Sequence, residues 1–408
     1  MKCRHCGAEL TLSFLDLGSA PPSNSYLNSE ALHAPEKWYP LQVMVCTECW
    51  LVQTEDFADR EELFSADYAY FSSFSDSWLR HARSYVDAMI EHFAMGAGAH
   101  VVEVAANDGY LLQYVRERGI PCLGVEPTES TAAAARAKGI EIVESFFGRR
   151  LAGELRAVGK AADLMVANNV LAHVPDINDF VSGFAILLKE NGVATFEFPH
   201  LMQLVDGVQF DTVYHEHFSY LSLLSVTRIF EWNGLRVFDV EELPTHGGSL
   251  RVFAQRANAG ALSVAASVEA MLARERAAGM TAVSYYQGFQ SRAEKIKDDL
   301  LEFLIDAKRS GKSVAAYGAA AKGNTLLNFA GVRPDLVSFV VDRNPAKQGK
   351  FMPGSRIEIV NEDDLKDFRP DVVLVLPWNL SPEIDSQLAY VRQWGGRLLV
   401  AIPEVRLW

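Results

Sequence analysis

Four cysteines fall into two C-x2-C pairs, Cys3/Cys6 and Cys46/Cys49. Each pair forms a tight turn that aims two sulfurs at one point, and four thiolates match tetrahedral Zn²⁺. Four sulfurs leave no position for an exchangeable water, so this site reads as structural. A redox C-x2-C would account for one pair but not two. The fifth cysteine, Cys122, sits in an apolar run and reads as buried core. A second dense cluster lies in FPHLMQLVDGVQFDTVYHEHFSY, 198–220, which brings Tyr214, His215, Glu216 and His217 together. In a helix or tight turn Tyr214 and His217 share a face; in an extended chain they point opposite ways. A metal set of His200, His215, Glu216 and His217 lacks the H-E-x-x-H spacing that places two imidazoles on one helix face. Buried core histidines are the plainer alternative. Proton removal by a histidine of near-neutral pKa is the chemistry this cluster favours.

Three further stretches have the pattern of ligand sites. In EVAANDGY, 103–110, a strand runs into a small-residue turn and then a helix, which presents backbone N–H groups to a ligand. Only one glycine is present, so the turn is a poor cradle for a pyrophosphate, which needs G-x-G-x-x-G. Glu126 ends the next strand, where a carboxylate can accept both ribose hydroxyls. A ribose without phosphates suits S-adenosylmethionine better than NAD. Glu103, Ala105, Asn107, Gly109, Tyr110 and Glu126 are therefore the expected cofactor residues, joined by Asn168 and Asn169 at the end of the apolar strand DLMVANNV. His173 follows in the same loop, and His246 lies in the glycine turn THGGS, 245–249. In AAYGAAAKGNTLLN, 315–328, Gly318, Lys322, Gly323 and Asn324 form a strand-to-helix turn that could hold a diphosphate. Asp342 closes the following strand and keeps an NAD reading open there.

The elements that must position these residues follow from periodicity. Residues 1–75 are rich in turn formers and too few to bury much core unaided. From about residue 85, helices and strands alternate through VVEVA, CLGVEP, IEIVE, DLMVANNV and VATFEFP, which is the pattern of a parallel sheet covered on both faces. LRVFDVEEL and SLRVFAQR follow with only PTHGG between them and should pair antiparallel at the sheet edge. A long helical stretch, about 265–309, leads to a second βα run. The expected class is α/β with three units: a zinc-binding module over 1–75, a cofactor-binding Rossmann-like domain over 76–258, and a helical linker with a smaller Rossmann-like domain over 259–408.

Bulk composition narrows the partners. With 38 Lys+Arg against 52 Asp+Glu, the net charge is −14, which disfavours a nucleic-acid backbone. No apolar run of roughly 18 residues would span a membrane. The opening MKCRHCGAEL carries no apolar signal core, so a cytoplasmic setting is expected. Oligomeric state is not encoded in these motifs, and a monomer is compatible with them.

Taken in order, the paired cysteines, YAYFSSFS, EVAANDGYLL, GVEPT, ANNVLAHVPDINDF, YHEHFSYLS, THGGSLRVF and YGAAAKGNTLLN resemble the sugar C-methyltransferases of deoxysugar biosynthesis, the family that includes the C-3′ methyltransferase of tetronitrose biosynthesis. The resemblance covers almost the whole chain. It implies a class I methyltransferase fold, S-adenosylmethionine, structural Zn²⁺ and a nucleotide-linked 4-keto-6-deoxy sugar, TDP or similar, methylated at C3 through an enolate. It also implies His217 as base, Tyr214 and Glu216 as orienting groups, and Tyr68 or Tyr70 reaching the same site. His173, His246 and the Gly318–Asn324 turn become expected substrate contacts. Two rivals stand beside it: O- or N-methylation of a nucleotide sugar, and a non-enzymatic zinc-ribbon adaptor.

Overall fold

The computed structural model describes residues 1–57 and 71–408; Tyr68 and Tyr70 lie outside the described residues. Among the described residues, three sheets organise the fold. The first is antiparallel, with β1 (Leu12–Ala20), β2 (Tyr39–Val45) and β3 (Val52–Thr54) in order. Alternation along β2 puts Leu41, Val43 and Val45 inward and leaves Pro40 and Gln42 exposed, as a half-buried strand requires. Cys46 follows β2 directly.

The second sheet is the framework of the ligand turns. Its strands are β4 (Val101–Val104), β5 (Cys122–Val125), β6 (Glu141–Val143), β7 (Ala162–Asn168), β8 (Leu188–Pro199), and then, after the short β9 (Ser219–Tyr220), β10 (Leu235–Leu243) and β11 (Ser249–Arg256). The spatial order is β10-β11-β8-β7-β4-β5-β6. Strands β4 to β8 are parallel, and β10 and β11 form the expected antiparallel hairpin at one edge. All four residues of β4 are buried, because helices cover both faces of a parallel sheet. Strand order reverses between β4 and β7, and the crevice outside their carboxyl ends is where such sheets bind ligands.

Strand β9 does not belong to this sheet. It pairs antiparallel with β3, Val52 opposite Tyr220, and completes the N-terminal sheet from the middle of the chain. The insertion around His217 is thereby tied to the cysteine module. The third sheet runs β14-β13-β12-β15-β16-β17, with β12 (Val314–Tyr317), β13 (Val340–Val341), β14 (Ile359–Val360), β15 (Val372–Val375) and β16 (Arg397–Val400) parallel and β17 (Arg406–Leu407) antiparallel.

The long helical stretch divides into Ala266–Ala277, Val283–Tyr286 and Phe289–Arg309, with Gly279 and Gly288 at the breaks. The last helix buries Phe289, Ala293, Ile296, Leu300, Leu304 and Ala307, one stripe at helical spacing. Phe289 stacks on Phe14 of β1 with centroids 4.5 Å apart. Through this helix one core continues from Leu41 and Val43, past Leu201 and Phe210, to Val314 and Val340. The N-terminal module, too small to bury its own apolar face, finds its core there.

Candidate active site

The zinc-type cluster assembles as its spacing suggests. One sulfur from each of Cys3, Cys6, Cys46 and Cys49 lies within 4.8 Å of the others, with Cys3–Cys49 and Cys6–Cys46 both at 3.5 Å. A tetrahedron with Zn–S of 2.3 Å has edges of about 3.8 Å. A hydrogen bond from the Cys49 thiol, aided by backbone groups of Cys6 and His5 and against the effect of burial, lowers the Cys3 pKa to about 4. The donor set fits a structural zinc ion with no vacant position.

The turn after β4 is strained. Ala105 and Asn107 both take left-handed φ, 58° and 49°, and Asn169 after β7 does so at 54°. Such conformations cost non-glycine residues about 1–3 kcal/mol each and persist where surrounding contacts fix them. Glu126 supplies one such contact. Its Oε2 accepts from the Asn107 backbone at 2.9 Å, and its Oε1 accepts from Thr128 N–H and Thr131 Oγ1, both at 3.0 Å. Each carboxylate oxygen can take two hydrogen bonds, so Oε2 retains room for a ribose hydroxyl. The Asn107 side chain is committed to the Ser72 amide at 2.9 Å, which folds the segment after residue 70 over the turn. Both polar side-chain atoms of Asn168, and Oδ1 of Asn169, are buried without partners. Buried amides in that state call for a further partner, a water, an ion or a ligand.

Gly109 and Tyr110 both pack into the core beside the turn. A Cβ at Gly109 would lie 2.4 Å from Ile140 Cδ1, so this glycine lets the turn close against the core. Tyr110 is 3% exposed and stacks beneath Trp78 at 5.9 Å; it shapes the turn from below. Glu103 is wholly buried beside it, and burial raises its carboxyl well above the usual range.

Tyr214–His217 forms a tight turn closed by His217 N–H to Tyr214 C=O at 2.9 Å, which gives the shared-face arrangement. The Tyr214 hydroxyl donates to His217 Nε2 at 2.8 Å, and Nδ1–H donates to the Thr212 carbonyl at 2.8 Å. Burial, with the His173 ring and Lys322 charge nearby, holds His217 well below its ordinary pKa. His173 packs edge-on against His217 at 4.6 Å, and burial lowers its pKa to about 4. Glu216 turns the other way. Its Oε1 accepts from Asn24 Nδ2 at 3.1 Å, its Oε2 is buried without a partner, and burial raises its pKa. His200 and His215 go elsewhere, to Glu275 at 2.7 Å and to the Pro40 carbonyl at 3.2 Å, so the imidazoles do not converge on a metal. His246, with φ 54°, receives the Asn169 amide at 3.1 Å and faces Trp78.

In the third-sheet turn the amides of Gly318, Ala319 and Ala320 are consumed by Val341, Asp342 and Gly318 oxygens, which leaves the first-turn amides of the helix Ala321–Phe329 as the donors facing out of the turn's end. A Cβ at Gly318 would meet Pro377 at 2.5 Å, and one at Gly323 would meet Leu376 at 2.8 Å; close packing is what these glycines serve. Asp342 is likewise committed, to Ala319 N–H, Asn344 N–H and Lys347. Lys322 is the exception. Its ammonium donates to Asn379 Oδ1 at 2.7 Å and lies 4.8 Å over the Trp378 ring, with burial lowering its pKa. The Asn324 side chain behind it is buried with no partner on either polar atom.

Several site residues carried no sequence signal. Asp211 accepts from Trp378 Nε1 at 2.7 Å, its Oδ1 is buried and unpartnered, and burial raises its pKa to about 6. At the end of β8, Glu197 accepts from His81 (2.9 Å), Arg251 (3.1 Å) and Thr245 (2.9 Å). Burial opposes ionisation, but these donors hold its pKa low.

A reversed parallel sheet with an edge hairpin, a strained turn after the first strand and a ribose-type carboxylate after the second together define a class I S-adenosylmethionine-dependent methyltransferase. Residues 3–64 match a putative zinc binding domain, 78–240 a methyltransferase domain, and 244–403 a C-methyltransferase C-terminal domain. The chain is 36% identical over 407 residues to the C-methyltransferase NovU of Streptomyces niveus, covering 100% of this chain and 96% of that protein. The chain therefore belongs to the C-methyltransferase family. Among solved structures, magnesium protoporphyrin IX methyltransferase of Synechocystis PCC 6803 with bound SAH matches at 15% identity, 44% of this chain, 82% of that chain and TM-score 0.35. The PH0226 protein of Pyrococcus horikoshii OT3 matches at 13% identity, 49% of this chain, 99% of that chain and TM-score 0.37. Among the described residues, no helix is long and apolar enough to cross a membrane.

Proposed function

We propose that this C-methyltransferase acts at C3 of a nucleotide-linked 4-keto-6-deoxy sugar, with His217 as the base. The observation that carries the reading is the orientation of His217. Its Nδ1–H is fixed on the Thr212 carbonyl, so Nε2 holds the lone pair, and the low pKa keeps the ring neutral at physiological pH. Nε2, relayed through the Tyr214 hydroxyl, takes the C3 proton; the C–H electron pair forms the C3=C4 bond and the carbonyl pair moves to oxygen. Lys322, a buried cation whose charge reaches His217, would stabilise the resulting negative charge, and neutral His173 and His246 add polar lining without competing charge. S-adenosylmethionine, when bound, would supply the electrophilic methyl group for C3 and keep the S–C electron pair on sulfur. Glu126, Asn168 and Asn169 would hold its ribose and amino-acid portions. Glu216, its pKa raised by burial, is suited to donate a hydrogen bond as a carboxylic acid. A cytoplasmic setting, where four thiols stay reduced, belongs to the same reading.

Incubation of TDP- and GDP-linked 4-keto sugars in D2O without cofactor tests it. Deuterium should enter at C3 and then be replaced by methyl when S-adenosylmethionine is added. Methyl transfer without prior exchange would move the reaction to an oxygen or nitrogen.

A further inference from the structure

The residues between the two N-terminal cysteines do more than join them. Arg4 lies inside the Cys3-x2-Cys6 knuckle, yet its side chain is only 6% exposed. Its Nη1 donates to the Pro175 carbonyl at 2.9 Å; its Nη2 donates to the Thr54 carbonyl at 2.7 Å and to Asp56 Oδ1 at 2.8 Å. The guanidinium carbon lies 5.4 Å over the Phe218 ring, and the Arg4 amide donates to buried Gln53 Oε1 at 2.9 Å. Three of these partners, Pro175, Thr54 and Phe218, lead to the His173 and His217 segments in one step. Pro175 ends the loop that carries His173. Thr54 donates its hydroxyl to the His217 carbonyl at 3.0 Å and its amide to the Phe218 carbonyl at 3.2 Å. Phe218 N–H in turn donates to the Ala172 carbonyl at 2.8 Å, joining the two histidine segments to each other. His5, the other knuckle residue, donates Nδ1–H to Asn178 at 2.9 Å and receives the Asn178 amide on its carbonyl at 2.8 Å.

We propose that Arg4 is a positioning residue through which the cysteine knuckle fixes the relative placement of the His173 loop and the His217 segment. A planar guanidinium suits this task, since one rigid fork can reach two backbone carbonyls on separate elements while its face covers a ring. An ammonium could satisfy one carbonyl but not span both. The cysteine module thus acts on the reaction at a distance, with Arg4 touching neither substrate nor cofactor. The functional limb of this inference rests on His217 being the base; the structural limb does not.

Arg4→Ala and Arg4→Lys in the full chain test both limbs. Zinc content and S-adenosylhomocysteine affinity should match the parent, because the sulfurs and the β4–β5 edge are untouched. Hydrogen exchange should quicken in peptides covering 170–176 and 212–220 and stay unchanged in those covering β4 and β5. The kcat should fall about tenfold to a hundredfold for Arg4→Ala with the S-adenosylmethionine KM unaltered. Arg4→Lys should lie between, and added guanidinium, but not ammonium, should restore part of the Arg4→Ala rate. Unchanged exchange in the two peptides, or zinc loss matching the rate loss, would overturn the inference. His217→Asn measured alongside separates the two claims: full activity there, with faster exchange in Arg4→Ala, would keep the pin and dismiss the base.

Discussion

The Tyr214 hydroxyl sits 2.8 Å from His217 Nε2, so the lone pair that would remove a proton is already occupied by a phenol. Two consequences differ between variants. His217→Asn should lower kcat by about 10²–10⁴ while leaving S-adenosylhomocysteine affinity unchanged, the usual loss for a general base. Tyr214→Phe removes the relay and should also lower kcat, whereas a parent-like rate would mean that the imidazole contacts substrate directly. An equal loss in both, measured with deuterium exchange at C3, would make the pair act as one relay.

Glu126 organises both the strained turn and the ribose position. Glu126→Gln should weaken S-adenosylhomocysteine binding by about 10- to 100-fold, as removal of a charged acceptor does. Calorimetry reads this directly, and melting temperature should move little. Parent-like affinity would place the ribose elsewhere.

Lys322 and Asp211 form a buried opposite-charge pair bridged by Trp378. Lys322→Met should leave cofactor affinity intact and reduce turnover. Asp211→Asn should shift any acid limb of the kcat profile that lies near pH 6, the value to which burial raises its carboxyl. A pH profile that is identical in Asp211→Asn and parent would remove Asp211 from that role.

His173 and His246 have pKa values lowered from 6.5 to about 4 by burial. Between those values the unfolded chain binds protons that the folded chain does not, so stability rises with pH through this window and is complete above the unfolded value. Urea midpoints measured from pH 4 to 7 should therefore fall on acidification. His246→Asn and His173→Asn should each flatten the slope; an unchanged slope would reassign the acid sensitivity to the thiolate cluster.

Metal analysis should find about one zinc ion per chain, and a chelator should lower the melting temperature. Cys46→Ser should do both. A metal-free preparation that melts like the parent would contradict the four-thiolate site.

Much of this arrangement was legible because it is local in sequence. Glu126 ends an apolar strand close after the small-residue turn, and Tyr214 and His217 are three residues apart, so spacing marked them as candidates, while the roles expected of Tyr214 and His217 came from the family resemblance. The paired cysteines announced themselves by the same rule. Asp211 and Trp378 are separated by 167 residues, and Glu197 collects His81, Thr245 and Arg251 from three different elements; no local pattern encodes such meetings. Gly318 and Gly323 were ambiguous because glycines that admit a ligand and glycines that admit a neighbouring loop look alike until Pro377 and Leu376 are in place. Strand β9 was invisible for a different reason: two residues carry no periodicity.

That two-residue strand also sets an order on the chain's own birth. Val52 can meet Tyr220 only after the chain has been made as far as Tyr220, so the edge of the first sheet stands open through synthesis of the entire central sheet's parallel strands. The cysteine knuckle can gather its metal before then, since Cys49 is made well ahead of Tyr220. On the ribosome, zinc would then serve as a holding clamp, keeping a sheet with an unpaired edge in register until its last strand arrives.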